Sequence, residues 1–149
     1  SPKNTIRKID AKNFDENAKK EFLKGAKIAY ETIITNFANG DLKKIKSLLD
    51  EKVFNQFSNA LSERKKKGFV SDTTFIGINS AKIIEHKEQN NFFEVTVDFV
   101  SEIISCVRNT EKKIISGDPK KVKKVHDTWK FSRDVRSTNP NWFLTETQI

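Results

Sequence analysis

One cysteine in a chain of 149 residues excludes an intrachain disulfide, so a packed core has to hold the fold together. At this length folding buries roughly 70% of the surface the unfolded chain would expose, enough for one domain without a covalent staple. Cys106 closes a β-branched run and reads as a small packed thiol in a reducing compartment. With only His86 and His126 as histidines, the chain has no zinc spacing, and it carries neither a Gly-x-Ser-x-Gly elbow nor a phosphate-cradling glycine loop. No metal ligand set and no cofactor are expected. No apolar run approaches the ~20 residues of a membrane span. Nothing at the N-terminus has the form of a signal peptide, and Asp10, Asp15 and Glu16 argue against an uncleaved presequence. A chain that opens at Ser1 without methionine reads as an excised or processed piece, which leaves room for an upstream membrane anchor.

What the chain has in plenty is positive charge, 28 Lys and Arg against 20 Asp and Glu, for a net charge of +8. That balance points to an acidic partner, whether anionic lipid, nucleic acid or another protein. Lysine spread through the loops is also what a solvated surface looks like, and the accompanying asparagine and isoleucine fit a nucleotide bias in the coding genome.

Hydrophobic periodicity divides the chain into a helical first part and a stranded second part. Over 22–37 the apolar residues Phe22, Ala26, Ala29, Ile33 and Phe37 recur at steps of three and four, with Leu23, Tyr30 and Ile34 widening the stripe. Gly40 is a stop signal, and Asp41 is positioned to cap a short second helix over 42–49. Asp50 caps a third, which carries Val53, Phe54, Phe57 and Leu61 and ends in Arg64, Lys65, Lys66 and Lys67, cations suited to the negative end of the helix dipole. The period then changes to two. A strand is predicted over 74–84 with a bulge near Asn79, a long one over 92–107, and two more over 122–133 and 142–147, with a long connection over 109–121 turning at Gly117-Asp118-Pro119. The expected fold class is α+β, helices packed on one face of a curved antiparallel sheet of about four strands.

Both tryptophans fall near the end of the chain. In strand geometry Asp127, Trp129, Phe131 and Arg133 share one face, aromatic in the middle with a charge at each end. Asp127 and Arg133 stand about 20 Å apart along such a strand, too far to pair, so each needs another partner. Across from them Phe93, Val95, Val97 and Phe99 share a face of the preceding strand, and Val125, Trp142 and Leu144 extend the surface. These nine apolar residues are the candidate lining of a pocket for an acyl chain or an apolar client segment, with Asp127 and Arg133 at its rim. The alternative is a face that the helices fill completely.

Taken in order, Phe-Leu-x-Gly-Ala-x-x-Ala-Tyr ending at Tyr30, Gly40-Asp41-Leu42, the helix over 54–68, Phe99-x-Ser-Glu, Asp127-x-Trp-x-Phe-x-Arg133 and Asn139-Pro-Asn-Trp142 resemble the Tim-forty-four-like domain family. That is the C-terminal domain of a peripheral subunit of the mitochondrial inner-membrane protein translocase, with bacterial relatives. The resemblance covers the chain from about Phe14 onward. It implies a cystatin-like or nuclear-transport-factor-two-like cone over 14–149, preceded by a flexible segment over 1–13. It also implies an inner-membrane location, peripheral or tethered, and a non-catalytic role in protein translocation or membrane-protein assembly. Partners would be cardiolipin-like anionic lipid and other proteins of the machinery. The separate N-terminal region that recruits the import-motor chaperone in mitochondrial members is not expected in this chain, nor is that recruitment, and a bacterial source is favoured.

Three function classes follow. In the adaptor reading, Lys20, Lys24 and Lys27 form a basic flank beside the apolar stripe of the first helix, with Phe14 as an inserting side chain. In the enzyme reading, Asp127 is the one carboxylate on an aromatic face, yet His126 points the other way and no acid-base dyad forms. In the RNA or ribosome reading, Lys65 to Lys67, Lys112, Lys113 and the lysines from Lys120 to Lys124 would meet phosphate, though the aromatics fall on buried faces instead of among them.

Overall fold

Asp15 starts the first helix by accepting a hydrogen bond from the Ala18 N–H at 2.9 Å on its Oδ1, a carboxylate placed at the positive end of the helix dipole. The computed structural model describes residues 11–148, and the segment 1–10 of the expected flexible leader lies outside the described residues. Helix α1 runs Glu16–Ala38 and buries Phe22, Ala26, Ala29, Tyr30 and Ile33 of the predicted stripe, while Leu23, Ile34 and Phe37 are half-buried. It stops at Gly40, whose φ of +76° suits glycine. Its last carbonyls, those of Phe37 and Ala38, accept from Arg64 Nη2 at 3.3 and 3.1 Å.

Helix α2 (Glu51–Lys66) is capped by Asp50, whose Oδ1 accepts from the Val53 N–H at 2.8 Å, and it ends on Arg64, Lys65 and Lys66 as expected. The helix predicted over 42–49 shrinks to one 3-10 turn, Lys46–Leu48. The cause is tertiary. Leu49 turns extended to bridge Leu144, and the Asp50 N–H donates to the Leu144 carbonyl at 3.1 Å, so the chain leaves helical geometry after a single turn. Asp41, with no helix to cap, pairs instead with Lys44 at 3.5 Å.

The sheet holds five strands: β1 (Val70–Gln89), β2 (Phe92–Arg108), β3 (Ile114–Gly117), β4 (Lys123–Asp134) and β5 (Phe143–Thr147). All pairs are antiparallel in the order β1-β2-β4-β5, and β3 adds to the end of β2. Asn90 and Asn91, both at positive φ, make the two-residue turn between β1 and β2. β1 slips register between Phe75 and Gly77, Ile78 and Ser80, and Ile83 and Glu85. The middle slip is the bulge expected near Asn79. Such extra residues sharpen the twist and re-aim the following side chains, which here keeps Phe75, Ile78, Ala81 and Ile83 turned toward the core. The result is two helices on one face of a curved, unclosed antiparallel sheet.

Gly117 closes β3 at φ +77°, and a Cβ there would stand 2.3 Å from the Ser105 carbonyl oxygen. At Gly40 the φ is equally positive but the nearest atom to such a Cβ is Arg64 Nη2 at 3.6 Å. Alanine at either site costs about 1–2 kcal/mol through the left-handed backbone. Urea denaturation should show Gly117→Ala losing clearly more than Gly40→Ala, because a backbone carbonyl must also move; equal losses would show that the β2–β3 contact relaxes freely.

Candidate functional site

The inner face of the sheet gathers most of the residues singled out from the sequence. Strict alternation puts Phe93, Val95, Val97 and Phe99 of β2 on the helix side, and the register sets them opposite Arg133, Phe131, Trp129 and Asp127 of β4. Trp142 and Leu144 join the same buried cluster. Val125 falls opposite Ser101, half-buried and outside that cluster.

The face is filled, not hollow. Tyr30 of α1 stacks on Phe99 with ring centres 4.2 Å apart and leans on Trp129 at 4.7 Å. Phe22 meets Trp142 edge-on at 5.0 Å and Phe131 at 5.9 Å. Helix α1 therefore occupies the depression that the strand pattern offers to an acyl chain or client segment, and either ligand would have to displace it.

The two rim charges are also deeper than the pattern implied. Asp127 is buried, its Oδ2 accepting from the Tyr30 hydroxyl at 2.5 Å and its Oδ1 from Gln148 Nε2 at 2.5 Å. The Tyr30 hydroxyl in turn accepts from Ser101 Oγ at 2.9 Å. Burial first, then the bond to Asp127, raises the phenol well above its ordinary range. Arg133 is only 4% exposed, and its Nε and Nη1 find no acceptor among the described residues. The adjacent Asp134 is taken by Arg136 through two bonds of 3.1 Å.

The four residues named for lipid contact differ in exposure. Lys20, Lys24 and Lys27 are all exposed on the outer side of α1, beside Ile28 at 47% exposure and the exposed Glu21 and Glu31. Phe14 is buried instead of projecting. Its ring packs edge-on against Phe22 at 6.1 Å, Phe93 at 5.2 Å and His86 at 5.0 Å, because the capped start of α1 lays this residue across the mouth of the aromatic cluster.

Sequence reasoning missed the hydrogen-bonded group of Tyr30, Ser101, Asp127 and Gln148. One signal was present: Tyr30 is the only tyrosine, and a phenol inside an apolar stripe needs a buried acceptor. Asp127 needed a donor, so the two could have been matched. Among the described residues no group of three or more His, Cys, Asp or Glu is arranged to hold a metal ion, and no helix is long and apolar enough to cross a membrane.

A helical layer on one face of an open, curved antiparallel sheet, with its concave side closed by aromatic side chains, defines an α+β domain of the helix-on-sheet kind that the sequence led us to expect. The chain belongs to the Tim44-like domain family, whose model matches residues 4–149. It is 30% identical over 148 residues to a probable mitochondrial import inner membrane translocase subunit, tin-44, of Caenorhabditis elegans, covering 97% of this chain and 34% of that protein. It is 22% identical over 108 residues to the mitochondrial import inner membrane translocase subunit TIM44 of Mus musculus, covering 72% of this chain and 24% of that one. The chain thus spans about a third or less of the length of these curated relatives. Among solved structures, the intermembrane space region of the chloroplast protein ARC6 has the same kind of fold, with a TM-score of 0.57 at 13% identity over 84% of this chain and 93% of that one.

Because Tyr30 is the sole tyrosine, tyrosinate absorbance reports on it alone. Its phenol is raised in the folded state against about 10 in the unfolded chain, so its contribution to stability is complete below pH ~10 and is lost as pH rises beyond that. Tyrosinate should therefore appear only together with unfolding in an alkaline titration. Tyr30→Phe should remove that alkaline loss while lowering stability at neutral pH by about 1–3 kcal/mol, since Asp127 loses a buried donor. Ionisation near pH 10 with the fold intact would contradict the buried network.

Proposed function

We propose that this domain is a non-catalytic adaptor in inner-membrane protein translocation or membrane-protein assembly, held against anionic lipid by the basic flank of α1. Its membership of the Tim44-like family, with relatives named as inner-membrane translocase subunits, carries this reading. The interior supports the absence of catalysis: the one inner-face carboxylate, Asp127, has its two oxygens committed to Tyr30 and Gln148. Cardiolipin-like lipid and other proteins of the machinery are the proposed partners. Attachment is peripheral or through a tether elsewhere in the full-length protein, and the bacterial source expected from the sequence draws no support from relatives that are mitochondrial.

Lys20, Lys24 and Lys27 are the lipid contacts in this reading. Each lysine near an anionic surface is worth about 1 kcal/mol, so three hold the domain only in concert with other contacts. Phe14 enters as a brace of the core, and insertion of its ring would require the start of α1 to lift. The RNA reading has less behind it, since Ile114, Ile115 and Val122 are exposed among the lysines concerned while the aromatics lie inside.

Two variants test the assignment. Reversing Lys20, Lys24 and Lys27 to glutamate should cut co-sedimentation with cardiolipin-containing vesicles at least about tenfold, and raised salt should weaken wild-type binding likewise. Phe14→Ala should cost about 3 kcal/mol of stability in chemical denaturation and leave vesicle binding of the folded protein unchanged. Vesicle binding indifferent to the three reversals would remove α1 from the contact.

A further inference from the structure

At the end of the molecule away from Phe14, the close of α1, the last turns of α2 and the start of β1 enclose a groove of about 460 Å³. Its apolar walls are Ala38, Leu61, Phe69 and Val70, and its cationic edge is Arg64 and Lys65. A second depression of about 480 Å³ adjoins it, sharing Gly40, Leu61 and Lys65 and running on to Leu42 and Lys43. Arg64 is a fixed part of the wall: its Nη2 is held by the carbonyls of Phe37 and Ala38, and its guanidinium lies 5.8 Å from the centre of the Phe37 ring. Val70, at the groove's edge, is 58% exposed.

The charge around this groove is of one sign once internal pairs are set aside. Asp41 is taken by Lys44 at 3.5 Å and Glu63 by Lys66 at 3.7 Å. Lys43, Lys65 and Lys67 have no carboxylate partner among the described residues. Gly68 lets another segment close on the same end. Its missing Cβ would stand 2.3 Å from Thr110 Cγ2, so the β2–β3 turn sits against the end of α2.

Shape and charge together select the occupant. A bilayer surface is broad and cannot reach the floor of a groove cut between two helices and a strand. Nucleic acid would use the cations and gain nothing from Leu61, Phe69 and Val70. An amphipathic polypeptide satisfies both features, with large apolar side chains in the groove and carboxylates toward the lysines. We propose that this groove docks an acidic amphipathic segment of a partner protein. The surface is separate from the basic flank of α1, and its occupation does not depend on how the domain meets lipid.

The test uses the ¹⁵N-labelled chain and a synthetic helical peptide of about four turns, with leucine at one face and glutamate elsewhere. Amide shifts should change at Leu61, Arg64, Val70 and Ser71, and affinity should fall at least about tenfold in Lys43→Glu/Lys65→Glu and in Val70→Asp. A peptide with serine in place of each leucine should lose binding, while Lys20, Lys24 and Lys27→Glu should bind the leucine peptide as wild type does. Equal binding of the serine peptide would reduce the effect to general charge attraction and overturn the proposal. So would shifts confined to the outer side of α1, displacement of the peptide by phosphatidylglycerol vesicles, or displacement by single-stranded RNA.

Discussion

The aromatic face shared by β2 and β4 must be kept from water, and everything else in the domain is arranged by how α1 does this. Gly25, Ala26 and Ala29 are buried and small, so the helix axis comes close to the sheet between two large anchors, Phe22 and Tyr30. Close approach lets the rings interlock. Tyr30 reaches Phe99 and Trp129, and Phe22 reaches Phe131 and Trp142, in the stacked and edge-on arrangements that aromatic pairs favour. Trp142 comes from the segment before β5, so the late part of the chain is fastened to the first helix through one side chain. The 3-10 turn and α2 then close the other end, where Leu48, Leu49 and Val53 complete the cluster.

Local chemistry made much of this legible. Asp15 and Asp50 stand where caps are needed, the three-and-four spacing marks α1, and alternation in β2 and β4 gives the correct inward set for six of the seven apolar residues named on those strands. What resisted reading depended on distant contacts. β3 has four exposed residues and no alternation, so nothing in it separates strand from loop until β2 offers a partner. The segment over 42–49 has helical spacing, and only the demand of Leu144 for a neighbour at Leu49 cuts it short. Alternation assigns Asp127 and Arg133 to a face but says nothing of depth, which the overlying helix decides.

The interior and the surface divide the work between them. A carboxylate on an aromatic strand face is the sort of group that catalysis recruits, and here two donors hold Asp127 as a structural acceptor. Arg133 shows the opposite case, a buried cation whose desolvation the described residues leave partly uncompensated. The proposed contacts lie outside the core, on the exposed lysines of α1 and around the groove at the α2 end. That distribution is the one the proposed adaptor role requires.

The register slips in β1 have a consequence beyond curvature. This strand runs for 20 residues at the margin of the sheet, a length of backbone that a second chain could use as a template for growth into a fibril. Three offsets break that length into short, mutually twisted pieces, none of which presents a flat ladder to a newcomer. The same irregularities that wrap β1 toward α1 therefore guard a basic, isoleucine-rich protein against self-association along its most vulnerable border.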